Sequence, residues 1–247
     1  MWWSADTDKG KMRDMNQDSY CCEINDSCCF AVVCDGMGGE NGGQVASQMA
    51  VEIARKQLLQ GFKNKVSENE ARRIISCAVS AANIAVYDES MKYPDLKGMG
   101  TTMVIAVVTP TMAHIANVGD SRAYILRDDL LTQLTEDHSF VRELMLMGKI
   151  TEEEAKVHPK RHRITRAVGA METVCPDILS VDLREDDSIL LCSDGLYNYV
   201  DDDNELSALA AVSVRKRDIS PLIMRANEKG GGDNITAVIV SLTKGRS

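Results

Sequence analysis

The chain has 247 residues, of which 44% are hydrophobic and 26% are charged, so it can bury a large core and is not a disordered protein. Its 28 basic and 37 acidic side chains give a formal charge of −9, which disfavours binding to nucleic acid or to anionic membranes. The longest apolar run, Met103 to Val108, is too short to span a bilayer. Because the first residues show no secretion or transit signal, we expect a cytoplasmic protein.

The first third of the chain predicts one strand and two helices. Residues 28–34 form an apolar run typical of a buried strand, and residues 44–62 carry apolar side chains at helical spacing. Ser67 and Glu70 match a capping box, in which each side chain satisfies a free backbone donor. A second helix should therefore begin there and continue to about Tyr87.

In the rest of the chain, the spacing of the apolar residues changes several times between strand-like and helical patterns. Apolar or alternating runs predict strands at residues 103–108, 112–118, 121–127, 177–181, 188–192 and 235–242. Helical patterns occur at residues 139–147, at residues 151–157 and from about Ser220 onwards. No linker or repeat interrupts the sequence, so we expect one domain over residues 1–247. Strands followed by helix pairs and further strands favour an α+β fold over a regular βαβ alternation.

The eight cysteines raise the question of a zinc site or a disulfide framework. The pairs Cys21-Cys22 and Cys28-Cys29 lack the two-residue spacing of zinc ligands, and adjacent residues on a strand point to opposite faces. A chain of this size without a secretion signal normally keeps its thiols reduced. We therefore predict that the cysteines pack as small apolar residues.

Four aspartates stand next to glycine or a short turn where a predicted strand ends or begins: Asp35, Asp120, Asp194 and Asp233. A single Asp-Gly pair usually marks only a turn. Several carboxylates at strand ends, however, suit a hard cation such as Mg²⁺ or Mn²⁺, which prefers oxygen ligands. The glycine run at residues 36–43 lacks the Lys-Ser/Thr ending of a phosphate loop, so nucleotide binding is disfavoured.

Two further candidates lie upstream in the segment from Arg13 to Asp18. They could belong to a solvated surface turn. Alternatively, the guanidinium could hold a phosphoryl group through two hydrogen bonds, while the carboxylate orients a water molecule. Spacing in the sequence does not decide between these two interpretations.

Taken in order, eight short motifs resemble the metal-dependent Ser/Thr protein phosphatases of type 2C, and in particular the compact bacterial members of that family. The motifs are RDMNQD (13–18), DGMGG (35–39), GMGTT (98–102), VGDSR (118–122), LTEDHS (134–139), ITRAVG (164–169), SDG (193–195) and GDNIT (232–236). They cover nearly the whole chain. The resemblance implies a four-layer αββα sandwich, with two antiparallel sheets between helix pairs.

The resemblance also implies a role for each candidate residue. Asp35 would bridge two metal ions, the Gly36 carbonyl would bind one of them, and Asp194 and Asp233 would complete the ligands of the other. Asp120 matches a position that helps to bind a third ion in bacterial relatives.

On the substrate side, Arg13 would bind the phosphate and Asp18 would hydrogen-bond the water between the metals. The implied cofactors are two or three Mn²⁺ or Mg²⁺ ions. The implied reaction is direct attack of a metal-bridging water or hydroxide on phosphoserine or phosphothreonine, without a phosphoenzyme. The expected partners are phosphorylated proteins and a Ser/Thr kinase that the phosphatase would oppose.

Three positions depart from the family pattern. Gln17 replaces a glutamate of many relatives, and Met37 replaces a histidine of many eukaryotic members, so a metal-bound water would have to protonate the leaving group. Glu40 stands where bacterial relatives usually have histidine. Residues 137–169 correspond to the family's flap, and the basic cluster at residues 158–163 is either a solvated loop or a surface that attracts phosphorylated substrate.

Two other functions remain as alternatives. The chain could be a catalytically weak member that serves as a phosphoprotein-binding regulatory module, although all four metal aspartates are present. A metal-dependent nuclease would also use clustered carboxylates, but a charge of −9 with one short basic loop argues against it.

Overall fold

A computed structural model describes residues 1–242 of the chain, apart from the side chain of Glu40. Its strands are β1 (Trp2–Asp8), β2 (Asp18–Ile24), β3 (Cys29–Met37), β4 (Gly100–Thr101), β5 (Met103–Val108), β6 (Met112–Val118), β7 (Arg122–Arg127), β8 (Leu130–Gln133), β9 (Asp177–Asp182), β10 (Ser188–Cys192) and β11 (Ile235–Ser241). Its α-helices are α1 (Gly39–Gly61), α2 (Glu68–Lys92), α3 (Phe140–Leu146), α4 (Glu152–Lys156), α5 (Asp194–Tyr197), α6 (Asp203–Lys216) and α7 (Ser220–Glu228).

The strands form two antiparallel sheets. One sheet has the order β1-β11-β10-β7-β8, and the other has the order β2-β3-β5-β6-β9 with β4 paired to β3. Alternate residues of β3 show how the sheets stack, because Ala31 and Val33 pack between the two sheets while Phe30 and Val32 pack against α1 and α2. Since both faces of β3 are covered, its sequence is continuously apolar rather than alternating.

The outer face of the other sheet is covered by the C-terminal helices. Leu190 and Ile239 pack there against Leu206 of α6 and Leu222 of α7. The layers are therefore helix, sheet, sheet, helix. The α+β class and the αββα sandwich expected from the sequence are both confirmed.

Two helix starts show how local chemistry shapes the fold. Thr151 and Glu154 form the reciprocal capping box of α4, and the Ser67 hydroxyl accepts from the Glu70 amide at the start of α2. Helix α1 begins at Gly39, five residues before the predicted start. A Cβ on Gly43 would lie 2.7 Å from the carbonyl oxygen of Gly36, so glycine is needed where α1 packs directly against the end of β3.

The cysteine prediction is confirmed for most positions. All eight thiols are free, and Cys22, Cys28, Cys29, Cys34 and Cys192 are buried. Cys77 and Cys175 are exposed, so for these two the prediction of interior packing is wrong. Cys77 lies on the solvent face of α2, and Cys175 lies in the loop before β9.

The segment of residues 137–169, which contains α3 and α4, leaves the sandwich between β8 and β9. Its two arms pair through an isolated bridge between Ser139 and Ile164, and a second bridge joins Val168 to Thr101. The base of the segment is therefore attached to the sheet edge beside the end of β3. Within residues 1–242, no helix has the length and apolar content needed to cross a membrane.

Candidate active site

The two sheets bring the predicted aspartates to one edge of the sandwich. Asp18 begins β2 and lies directly opposite Asp35 near the end of β3, while Asp120 follows β6, Asp194 follows β10 and Asp233 precedes β11. The charges of the other four carboxylates all act on Asp35 and help to raise its pKa. Five acidic side chains from distant parts of the sequence thus share one electrostatic environment.

Close backbone packing explains the glycines beside two of these aspartates. A Cβ on Gly36 would lie 2.0 Å from the carbonyl oxygen of Gly43, and a Cβ on Gly195 would lie 1.9 Å from that of Asn234. Real side chains do not fit at such distances. The glycines therefore let the strand ends approach the neighbouring loops, which a turn alone would not require.

Asp18 is the most buried of the five aspartates, with 6% of its surface exposed. Its Oδ2 accepts a 2.6 Å hydrogen bond from the Ser193 hydroxyl, whose oxygen in turn accepts from the Thr236 amide at 3.0 Å. Burial raises the pKa of Asp18 to about 7, and the charges of Asp194 and Asp233 add to the effect, against the hydrogen bonds from Ser193 and Thr236. Near neutral pH this carboxyl can therefore hold or release a proton.

The same cause acts on two neighbouring carboxyls. Burial raises the pKa of Asp120 to about 8, with further contributions from Asp194 and Asp137, and burial raises the pKa of Asp35 well above its usual range. Several acids in one place, each favouring the protonated form, indicate negative charge that the protein alone does not neutralise.

Two unpaired oxygens support a cation at this place. Asp194 accepts from the Asn198 side chain at 3.0 Å through Oδ2, but within residues 1–242 no donor reaches Oδ1 of Asp194 or Oδ1 of Asp18. Buried carboxylate oxygens without donors are costly. Carboxylates are also the ligands that Mg²⁺ and Mn²⁺ prefer, so the residues present fit a divalent ion.

The carboxylates do not form a closed cage. In the part of the chain that the structure describes, no three acidic, histidine or cysteine side chains already converge on one ion position. Magnesium-type ions commonly keep several waters and use only a few protein ligands, so an open cluster suits them. A groove of about 620 Å³ lies elsewhere, between α1 and α2, where it is lined by Met49, Ile53 and Ile84.

Arg13 lies against this cluster. Its Nη2 donates to Oδ2 of Asp233 at 2.8 Å, although 54% of the arginine side chain is exposed. That hydrogen bond and the charge of Asp233 raise the pKa of Arg13, and Asp194 and Asp35 add to the effect. The guanidinium is thus beside the carboxylates and open to solvent.

Sequence reasoning missed Asn234 and Ser193 as site residues. The Asn234 side chain accepts from the Gln17 amide at 2.8 Å and donates to the carbonyls of Lys9 and Met15 at 2.9 Å. It therefore attaches the loop carrying Arg13 to the loop carrying Asp233. Both residues stand next to predicted ligands in the SDG and GDNIT motifs, and this position could have identified them as site residues from the sequence.

Of the three departures from the family pattern, Gln17 and Met37 lie at the site edge, and the Gln17 side chain donates to the Gly39 carbonyl at 3.2 Å. The side chain of Glu40 is outside the described part of the chain. The segment of residues 137–169 also approaches the site, because Nδ1 of His162 lies 3.9 Å from Oδ2 of Asp194.

Comparison with known proteins gives the family. The profile described as Protein phosphatase 2C matches residues 10–224. The chain belongs to this family. It is 39% identical to the serine/threonine phosphatase stp of Listeria innocua over 97% of this chain and 96% of that protein. The prediction of a phosphoprotein phosphatase of the Ser/Thr class is confirmed.

Solved structures agree with this assignment. Serine/threonine phosphatase Stp1 from Staphylococcus aureus superposes with a TM-score of 0.88 at 35% identity, covering 97% of this chain and 94% of that one. The catalytic domain of PstP, solved in complex with two manganese ions, gives a TM-score of 0.81 at 34% identity and covers 96% of both chains. The family is metal-dependent.

Proposed function

We propose that this chain hydrolyses phosphoserine and phosphothreonine in proteins with two or three Mn²⁺ or Mg²⁺ ions. The observation that carries the proposal is the meeting of five carboxylates at one sheet edge, where Oδ1 of Asp18 and Oδ1 of Asp194 have no donor among residues 1–242. The manganese in the PstP structure supports the choice of ion. Residues 1–247 would act as one catalytic domain, with residues 137–169 as its flap.

Asp35, the Gly36 carbonyl, Asp194 and Asp233 would hold two ions, and Asp120 would contribute to a third. When bound, such ions lower the pKa of water and neutralise charge on phosphoryl oxygens. Hydrolysis would proceed by direct displacement, without a phosphoenzyme.

The chain's own groups perform the remaining steps. Arg13 would bind the phosphate through its guanidinium, which is exposed and already lies beside the carboxylates. Asp18 would orient the attacking water through the unpaired Oδ1, because its Oδ2 is held by Ser193. Met37 has no ionisable proton, so it cannot protonate the leaving serine or threonine alkoxide, and a water molecule would supply that proton.

The basic cluster 158–163 would attract the phosphorylated segment of the substrate, since His162 already lies near Asp194. A cytoplasmic location and an opposing Ser/Thr kinase stay predictions from the sequence.

Phosphate release from matched phosphothreonine, phosphoserine and phosphotyrosine peptides tests this proposal. We expect turnover of the first two with Mn²⁺ or Mg²⁺, and none with a chelator. Asp194→Asn should lower kcat by at least about 100-fold, the effect of losing one group that stabilises charge. Asp182→Asn is the matched control. Asp182 is exposed and is the last residue of β9, whereas Asp177, which pairs with Asn117, is the first.

Turnover that persists in chelator would contradict the proposal. So would full activity of Asp194→Asn. Binding of the phosphopeptides without any phosphate release would favour the regulatory module instead.

A further inference from the structure

His138 lies where the flap leaves the body of the protein. Its backbone amide donates to the Gly119 carbonyl at 2.9 Å, and its carbonyl accepts from the Thr165 amide at 2.8 Å. The residue is therefore bonded on one side to the turn that carries Asp120 and on the other side to the returning arm of the flap.

The imidazole ring adds two more bonds. Its Nδ1 accepts from the Gly119 amide at 3.0 Å, so Nδ1 carries no hydrogen and the ring proton sits on Nε2. That Nε2 lies 3.0 Å from Oδ2 of Asp177 and donates to it. Only 7% of His138 is exposed, and Gly119 has a φ of +106°, so the ring bonds hold a turn that few residues can adopt.

Asp177 extends the chain of contacts to the far end of the flap. Its Oδ1 accepts from Nη1 of Arg166 at 2.7 Å, and the same guanidinium nitrogen donates to the Cys175 carbonyl at 3.0 Å. Partial burial would raise the pKa of Asp177, but the hydrogen bonds from His138 and Arg166 outweigh it and lower the pKa. The carboxylate thus bridges the entry of the flap to its exit.

We propose that His138 is a positioning residue, which through Gly119 and Asp177 fixes both arms of the flap relative to the turn carrying Asp120. The proposal rests on the function proposed above, because it assigns the flap to the binding of phosphoprotein substrate. Loss of the bond to Asp177 would free the exit arm, and with it the basic cluster 158–163. The carboxylate cluster itself would keep its arrangement, because among residues 1–242 the hydrogen bonds and ion pairs of the Asp177 side chain run to His138 and Arg166 and not to the cluster.

The test separates positioning from mere stability by a double-mutant cycle. His138→Asn keeps a side-chain oxygen near the place of Nδ1, so it can still accept from Gly119, but it cannot reach Asp177. Asp177→Ala removes the same bond from the other side, together with the bond from Arg166, at a residue whose side chain is 57% exposed. Asp182→Ala, at the other end of β9, is the matched control.

The first readout is hydrogen exchange in the metal-free protein. The amides of Phe140 and Thr165, which bond across the two flap arms, should exchange at least about 10-fold faster in either variant. The double variant should exchange no faster than Asp177→Ala, because both single variants break the bond between His138 and Asp177. Wild-type exchange rates in the singles, or additive effects in the double variant, would overturn the proposal.

The second readout compares the kinetic constants for a phosphopeptide with those for a small substrate. KM for a phosphothreonine peptide should rise about 5-fold or more in each single variant, while kcat/KM for p-nitrophenyl phosphate stays within about 2-fold of the wild type. An equal loss on both substrates would show a structural role only and would overturn positioning. If the wild-type protein hydrolyses neither substrate, the proposed function fails, whereas hydrogen exchange still decides the role of His138.

Discussion

Replacing Asp18 by asparagine should stabilise the metal-free protein at neutral pH. The buried carboxyl has its pKa raised from the ordinary 3.8 to about 7, so the folded state resists ionisation that the unfolded chain accepts. A pKa difference of this size corresponds to about 4 kcal/mol of unfolding free energy once the group is ionised in both states. An asparagine oxygen can still accept from Ser193, and its amide group replaces Oδ1 of Asp18, which has no donor among residues 1–242, so no hydrogen bond to that atom is lost.

The gain should depend on pH in a defined direction. Because the folded-state pKa is the higher one, the native protein binds more protons between pH 4 and 7, and its stability falls as pH rises through that window. The advantage of Asp18→Asn should therefore grow from about 2 kcal/mol at pH 5 to about 4 kcal/mol at pH 8. Urea unfolding of both proteins in chelator, at several pH values between 5 and 8, measures this difference.

Asp187→Asn is a control that should change the free energy of unfolding in the opposite direction. The Asp187 side chain is 2% exposed and accepts from Arg127 and from the Arg184 amide. Burial would raise its pKa, but these partners lower it. The ionised Asp187 carboxylate therefore stabilises the folded state fully above pH 5, and this stabilisation is lost only in acid. This variant should lose about 1 to 3 kcal/mol at every pH from 5 to 8. An Asp18→Asn protein no more stable than wild type, or a gain independent of pH, would refute the reasoning.

Three further changes test the packing and charge of the site. Gly195→Ala should lower both stability and kcat, because its Cβ would lie 1.9 Å from the Asn234 carbonyl oxygen; normal melting and kinetics would contradict this. Leu190→Ala should cost about 2 to 5 kcal/mol in urea unfolding, since Leu190 is fully buried; a loss below about 1 kcal/mol would show that the packing is loose. Arg13→Ala frees Asp233 from an exposed ion pair, so Mn²⁺ affinity measured by calorimetry should rise by at most about 5-fold; a weaker affinity would contradict the pairing.

The strand-end aspartates could be predicted because each marks a sharp change in the local pattern. A buried strand such as β3 has apolar residues on both faces, so the appearance of Asp35 beside glycines is visible in the sequence alone. The capping residues Ser67 and Thr151 act within three positions of themselves, so these helix starts could be predicted too.

Elements stabilised by partners far away in the chain were missed. Among residues 1–242, strand β1 is the edge strand beside β11, and most of its residues are half-buried with a weak alternation. Helix α6 buries small residues such as Ala210, Ala211 and Ser213, so its apolar face carries little signal. Strand β2 mixes cysteines with polar residues, and its pairing with β3 gives it its place.

The same reason limits prediction of the site. The raised pKa values of Asp18 and Asp120 follow from burial and, in both cases, from the charge of Asp194, more than 50 residues away, which no local pattern contains. The ion pair between Arg13 and Asp233 joins residues 220 positions apart. The contacts of His138 with Gly119 and Asp177 likewise appear only once the sheets are assembled.

The most direct test of the central claim is a titration of the metal-free protein with Mn²⁺, followed in parallel by calorimetry and by phosphate release from a phosphothreonine peptide. We expect at least two bound ions per chain and activity that rises with their binding. Asp35→Asn should keep its fold by circular dichroism and lose both signals. Activity without bound metal, or an Asp35→Asn protein that binds Mn²⁺ and turns over like wild type, would contradict the assignment of these carboxylates to a metal-dependent active site.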